Sequence, residues 1–431
     1  MKENSISNNK VISTAILLPF ILITSCFALW GFANDITNPM VKAFSRILMM
    51  SNFEGALVQF AFYGGYFVMA FPAAMFIKRF SYKAGILVGL GLYASGAFFF
   101  FPASHMQAFW PFLVAYFILT CGLSFLETSA NPYIMSMGSE KTATRRLNFA
   151  QSFNPLGSLL GMFTAQQLIL ARLNPATEAE RALMSPEALS SVTASDLAII
   201  RGPYIAIAVV ILAVLVVIAL TRMPHNQDQD KSIHLGSTLK RLLKNKRYRE
   251  GVVAQFFYVG AQIMVWTLII HYATMELGME ETEAQGYNIV AMIIFVFSRF
   301  ISTYLLKFFN SGQLLKWFAL GGLLLTAGTI FIQGMVGLYC LVGISATMSL
   351  MFPTIYGIAL HGLGDDAKFG AAGLIMAILG GSVMPPLQAA IIDMGSIFSM
   401  PAVRFSFVLP LICFVVIAAY GYRTASTLRG L

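Results

Sequence analysis

Apolar stretches of about 18 or more residues recur along the whole chain, parted by short breaks rich in charge, Gly or Pro. Each is long enough to cross the ~30 Å hydrocarbon layer of a bilayer as a helix. The pattern predicts twelve spans, numbered here in chain order, near 15–44, 53–77, 83–103, 107–137, 146–171, 201–222, 251–273, 284–307, 313–333, 336–361, 371–394 and 402–422. The first stretch outruns a signal-peptide core and has no small-residue cleavage site before Asn34, so it reads as a retained helix.

The longest polar stretch, 222–250, joins span 6 to span 7 and divides the chain into an N-terminal six-helix bundle, 1–221, and a C-terminal one, 251–431. Its segment "STLKRLLKNKRYRE" has the spacing of an amphipathic surface helix, although an orientation-setting cytoplasmic linker is the simpler reading. Residues 173–200, with Glu178, Glu180, Glu187 and Asp196, form the sizeable loop on the other side and read as a short surface helix. The halves echo each other. Span 4 ends "ANPYIMSMGSEKTA" and span 10 ends "MFPTIYGIALHGLGDDAK", each with a Pro, then Gly, then a charged loop. Spans 5 and 11 continue "NPLGSLLG" and "LGGSVMPP". The expected fold is all-α: twelve transmembrane helices in two pseudo-symmetric six-helix bundles, with a substrate site near mid-membrane.

Composition agrees. The chain is 58% hydrophobic and 11% charged, with a mean hydropathy of +0.74, against about 25% charged in a soluble domain. With both termini in the cytoplasm, 21 of the 28 Lys and Arg fall inside, six fall outside, and Arg299 lies within span 8. That asymmetry obeys the positive-inside rule, so the net charge of +9 reflects topology rather than a nucleic-acid surface. The expected location is a bacterial cytoplasmic membrane, crossed many times. Cys26, Cys121, Cys340 and Cys413 all fall inside spans and read as small apolar packers; no metal or cofactor is expected.

Of 19 acidic residues only Asp35 and Glu127 lie deep in spans. Glu127 is about eleven residues, or roughly 16 Å, from the cytoplasmic end of span 4, and Asp35 is at similar depth in span 1. An ionised carboxylate there costs at least ~2.5–3.5 kcal/mol, so it must face a watery cavity or take up a proton. Two acids at matched depth suit proton binding and release as water enters and leaves. Plainer roles are a helix-holding pair for Glu127, a helix-breaking turn in "NDITNP" for Asp35, and a cytoplasmic-side packing or gating contact for Arg299.

Uncharged polar residues gather on two stripes. In "RRLNFAQSFNPLG" of span 5, Asn148, Gln151 and Asn154 lie within about 120° of one another. In "AQFFYVGAQIMVW" of span 7, Gln255, Tyr258 and Gln262 recur at helical spacing, with Trp266 a turn later. Amides and carboxylates bind hydroxyls in both directions and aromatic faces stack on a pyranose, so such a lining suits a neutral sugar. Helix-to-helix amide bonding is the alternative use.

The segments "LETSANPYIMSMG", "RRLNFAQSFN", "QFFYVGAQ", "SRF" in span 8 and "FPTIYGIALHGLGDDAKFG" resemble the L-fucose/proton symporters of the major facilitator superfamily over nearly the whole chain. The superfamily's motif between spans 2 and 3 is degenerate here, "PAAMFIKRFSYKAG", without its usual Asp. The resemblance implies alternating access and proton-driven uptake of a deoxy-hexose such as L-fucose. It also implies a proton-carrying acid on span 1 and a substrate-coupled acid on span 4, the latter at Glu127, with Asn131 in the same motif as a substrate contact. Aligned on Trp30, the span 1 acid of the family falls on Asn38, and Asp35 stands one turn earlier on the same face. Either residue is a candidate for the coupling position.

The expected function is therefore a monomeric sugar importer in the lipid bilayer, with a monosaccharide and H⁺ as partners. Glucose, galactose or N-acetylglucosamine are alternative substrates, and Na⁺ is an alternative ion. A membrane enzyme of lipid-linked sugars would need clustered acids, metal ligands or phosphate clamps, and His271 and His361 are too far apart to supply them. A transport-like sensor would need a signalling domain or a long tail, where about ten residues precede span 1 and nine follow span 12.

Overall fold

The computed structural model describes residues 11–50, 52–224 and 235–427. Eleven helices among them are long and apolar enough to cross a membrane. Spans 1 to 4 are Leu17–Leu48, Asn52–Arg79, Tyr82–Met106 and Phe109–Ser136. Span 6 is Pro186–Leu220, and spans 7 to 9 are Lys246–Leu277, Glu281–Leu305 and Ser311–Phe331. Span 10 runs as Met335–Met348 and Met351–Leu360, span 11 as Ala367–Met376 and Gly380–Ile392. Span 12 is Ala402–Phe405 followed by Val408–Thr427. A two-residue hairpin, Ser396–Ile397 against Met400–Pro401, precedes it.

Span 5 is the twelfth pass and is segmented: Ala143–Gln151, Asn154–Phe163, a π-helical turn Thr164–Ile169 and a tight turn Leu170–Arg172. Proline accounts for its first break. Pro155 has no N–H to give to the Gln151 carbonyl four residues back, so the ladder opens between the two segments. The same logic opens span 10, where Pro353 leaves the Ser349 carbonyl free beside the break after Met348.

Two differences from the sequence reading stand out. Span 6 begins at Pro186, well before position 201, because Ser185 caps the helix by accepting from the Ala188 N–H and Pro186 fits its first turn. Asp196 and Arg201, which looked like loop charges, are helical. Asp196 is buried in a 2.5 Å pair with Arg181, and Arg201 lies over the Phe101 ring. The short surface helix expected in 173–200 is only Glu178–Ala182. In the stretch between spans 6 and 7, Leu235–Lys244 is helical and buries Thr238 and Leu242. Residues 225–234 of that stretch lie outside the described part.

The chain packs as two compact units. One holds the described residues of Ala15–Tyr133 and Phe153–Ile233; the other holds those of Met1–Thr14, Ile134–Ser152 and His234–Leu431. Residues 134–152 join the second unit for local reasons. The buried Arg146 donates to the Ile134 carbonyl at 2.7 Å and to Thr142 Oγ1 at 2.9 Å, which makes this corner rigid. Glu140 Oε1 then accepts from the Gly362 N–H at 3.0 Å, and a Cβ on Gly357 would meet Thr144 Oγ1 at 2.7 Å. The units therefore do not follow the linker at 222–250 residue for residue. The four cysteines are free; Cys26, Cys121 and Cys413 are buried and Cys340 is half-buried.

Candidate functional site

The unit formed by 15–133 and 153–233 contains both deep carboxylates, and one of them is bonded to a tyrosine of span 2. Glu127 is 4% exposed, and its Oε1 accepts a 2.7 Å hydrogen bond from the Tyr66 hydroxyl. Ser124, one turn earlier on span 4, donates to the Tyr66 carbonyl at 3.1 Å and fixes the two helices in register. Tyr63 sits one turn before Tyr66 on span 2, within electrostatic range of Asp35. The Ser158 hydroxyl also stands beside the Asp35 carboxylate. Glu127 and Tyr66 thus form one bonded pair, and Asp35 and Ser158 another polar group of the same unit. Asn131, one turn past Glu127, is fully buried.

Close backbone approach holds the segment Asn154–Phe163 against span 1. A Cβ on Gly157 would lie 1.9 Å from the Ala28 carbonyl oxygen, and one on Gly31 would lie 2.1 Å from the Asn154 oxygen, so both positions require glycine. This approach lets Asn154 Nδ2 donate to the Phe27 carbonyl at 3.2 Å. Asn38 lies on span 1 one turn after Asp35, and its side chain falls outside the described residues.

The other unit holds the rest. Arg299 is 3% exposed, and its guanidinium takes up both carbonyls that proline frees: Nε donates to Ser349 O at 2.7 Å and Nη1 to Gln151 O at 3.1 Å. Its cation lies 4.7 Å from the Phe295 ring centroid. No carboxylate pairs with it among the described residues. Arg299 is therefore enclosed, and it does not snorkel toward the cytoplasm. Tyr258, beside it, donates to Met348 O at 3.1 Å, at the same break in span 10.

The two stripes behave differently residue by residue. Asn148 is fully buried and exchanges hydrogen bonds with Thr354, its Nδ2 donating at 3.2 Å. That is a helix-to-helix bond. Gln255 is also fully buried, yet neither its amide oxygen nor its nitrogen has a partner among the described residues. A buried amide without partners costs roughly 1–3 kcal/mol, which a ligand with hydroxyls repays. Gln151 is nearly buried and Gln262 is half-exposed. Trp266 donates its indole N–H to Ser345 Oγ at 3.2 Å. Sequence reasoning missed Tyr63, Tyr66, Ser158 and Thr354. The pair of tyrosines at i and i+3 in "FYGGYF" was the available signal.

Amides, hydroxyls and carboxyls of this kind are able to bind hydroxyls and to take up or give up protons; among the described residues no cluster of His, Cys, Asp or Glu could hold a metal ion. Comparison with known proteins agrees. The family model of the Major Facilitator Superfamily matches residues 22–385. The chain is 55% identical to the L-fucose-proton symporter of Haemophilus influenzae, over 98% of this chain and 100% of that protein. It is 36% identical to the L-fucose-proton symporter of Escherichia coli, over 96% and 95%. The glucose/galactose transporter of Brucella abortus is 29% identical over 93% and 92%. The crystal structure of the transporter FucP in the outward conformation superposes with a TM-score of 0.87 at 35% identity, covering 95% of this chain and 99% of that one. The twelve helices have the major facilitator fold, and the chain belongs to the L-fucose/proton symporter family of the major facilitator superfamily.

Proposed function

We propose that this protein imports L-fucose together with a proton by alternating access. It is a transporter, not an enzyme, as its relatives are. The observation that carries the reading is the buried Glu127 bonded to the Tyr66 hydroxyl, with the second deep acid, Asp35, in the same unit. Span-level hydrophobicity should exclude both acids, and the Tyr66 hydroxyl gives Glu127 a partner in either protonation state. Glu127 couples the sugar to the proton, and Asp35 carries the proton, with Asn38 the other candidate for that position. Asn131, Gln151, Asn154, Gln255, Tyr258 and Gln262 supply hydroxyl contacts to the sugar, and Asn148 joins them from the span 5 stripe. The unpartnered Gln255 amide favours this assignment over helix-to-helix bonding alone.

It acts as a monomer in a bacterial cytoplasmic membrane, with both termini inside. The distribution of Lys and Arg and the bacterial origin of its relatives support this placement. The moving bodies are the six-helix bundles 1–221 and 251–431, joined by the cytoplasmic linker 222–250. The test is uptake of radiolabelled L-fucose into proteoliposomes under an imposed proton gradient, competed with D-glucose, D-galactose and N-acetylglucosamine. Accumulation abolished by a protonophore and competed best by L-fucose is expected. Accumulation that follows Na⁺, or competition led by another hexose, would overturn the ion or the substrate.

A further inference from the structure

A cleft of about 650 Å³ opens in the second unit where spans 7 and 9 begin and span 12 ends. Its walls carry Lys246, Arg247 and Glu250 from span 7, Lys316 from span 9, and Tyr422 and Arg423 from span 12. Four cations thus face one carboxylate. Glu250 is already engaged: its Oε1 lies 2.5 Å from Arg423 Nη1 and 4.0 Å from Lys246 Nζ. Lys316 has no carboxylate partner among the described residues and lies over the Trp317 ring. Arg247 gives one N–H to the His361 carbonyl, but its Nε is buried without a partner.

The backbone adds to this excess. The helices Lys246–Leu277 and Ser311–Phe331 both start at the cleft, so two N-terminal dipole ends reinforce the positive charge. The floor is backbone itself. A Cβ on Gly421 would lie 2.7 Å from the Lys316 nitrogen, and one on Gly312 2.6 Å from the Ala425 nitrogen. Spans 9 and 12 therefore pack backbone to backbone beside the cleft, whose lining carries the cationic side chains.

We propose that this cleft binds the phosphate of an anionic phospholipid headgroup. A phosphate-bearing anion is the chemistry that surplus cations and helix N-termini select. Its membrane source follows from what surrounds the mouth. Trp317 and Tyr422 are largely exposed aromatics at the level of the cations, as in an interfacial belt. Below Lys316, Trp317, Leu320 and Leu324 form an exposed apolar row at helical spacing, a track on which an acyl chain can lie while its headgroup sits in the cleft. The leaflet is the cytoplasmic one, which rests on the topology proposed above; the binding does not.

Native mass spectrometry of the purified, delipidated protein tests the site. Phosphatidylglycerol should be retained in preference to phosphatidylcholine. Lys316→Ala should cut its retention about fivefold, and Lys316→Arg should keep it, since charge rather than shape is lost. Equal retention of both lipids, or undiminished retention by Lys316→Ala, would overturn the site. Inorganic phosphate that displaces phosphatidylglycerol at low millimolar concentration and protects the protein equally from heat would overturn the lipid source. A wrong topology shows up separately, as labelling of Arg249→Cys by an impermeant maleimide from outside while lipid retention is intact.

Discussion

Tyr66 donates its hydroxyl proton to Oε1 of Glu127 across 2.7 Å, in a part of span 4 where no other charge is near in sequence. A phenol can donate to the ionised carboxylate and accept from the protonated one, so this bond persists through a protonation cycle. Glu127 therefore has a neighbour able to bond it in either charge state.

Glu127→Gln preserves the acceptor for Tyr66 and cannot ionise. Proton-driven uptake should fall sharply while sugar binding in detergent persists in part. Uptake by this variant at the normal rate and with the normal pH dependence would remove Glu127 from coupling. Tyr66→Phe keeps the ring against Phe62 and deletes only the donor. Its cost should be about 1.5–3 kcal/mol of binding or stability, the worth of a hydrogen bond to a charged group.

Gln255 and Asn148 differ in how their buried amides are satisfied. Asn148→Ala breaks its exchange with Thr354 and should lower thermal stability by about 1–3 kcal/mol. Gln255→Leu removes an amide whose two ends lack partners, so it should leave stability unchanged or raise it. Sugar affinity should fall about tenfold or more in Gln255→Leu, read by calorimetry. A loss of stability with normal affinity would make Gln255 a structural group.

Arg299 satisfies carbonyls that Pro155 and Pro353 leave open. A lysine has one point of donation and cannot span both oxygens in the plane a guanidinium offers. Arg299→Lys should cost about 2–3 kcal/mol of stability, since it loses one charge-assisted bond and strands a buried carbonyl. A melting curve identical to wild type would show that those carbonyls find other donors.

The number of spans was legible in the sequence because a bilayer imposes length and apolarity on every pass. What stayed hidden followed from the third dimension. Asp196 looked like a loop charge because its partner, Arg181, lies 15 positions earlier and is buried with it. Asn148 and Gln255 are the same kind of residue in similar stripes, and only the position of Thr354 on span 10 separates their surroundings. Glu127 was singled out by its charge alone, whereas Tyr66 was passed over because a tyrosine in an apolar helix carries no alarm.

The Arg181–Asp196 pair supplies a stability test away from Asp35 and Glu127. Both side chains are buried, so removing one leaves an uncompensated charge. Asp196→Ala or Arg181→Ala alone should cost about 3–5 kcal/mol. The double change to Arg181→Met with Asp196→Leu should recover most of it, because the desolvation penalty disappears with the charges. A double variant as unstable as the singles would mean that the backbone bonds of the pair dominate. Those are Arg181 to Ala176 O and the Asn174 N–H to Asp196.

Asp35 is the proposed proton carrier. It stands beside Ser158 and Tyr63 on a helix that must pass through an occluded state, where an ionised acid is costly to bury. Asp35→Asn imitates the protonated form permanently. Net uphill uptake should then vanish, while exchange of internal for external sugar at equal pH survives, since exchange needs no proton release. Position 38 provides the control. If the acid may occupy either of two consecutive turns of one face, Asp35→Asn combined with Asn38→Asp should restore part of the uphill transport. Full proton-driven accumulation by Asp35→Asn alone would rule out Asp35 and leave Glu127 as the one deep carboxylate for the task. Loss of exchange along with uptake would instead mark Asp35 as a residue that holds span 1 in shape, because a carrier that keeps its fold and its sugar site has no need of a titrating group to exchange.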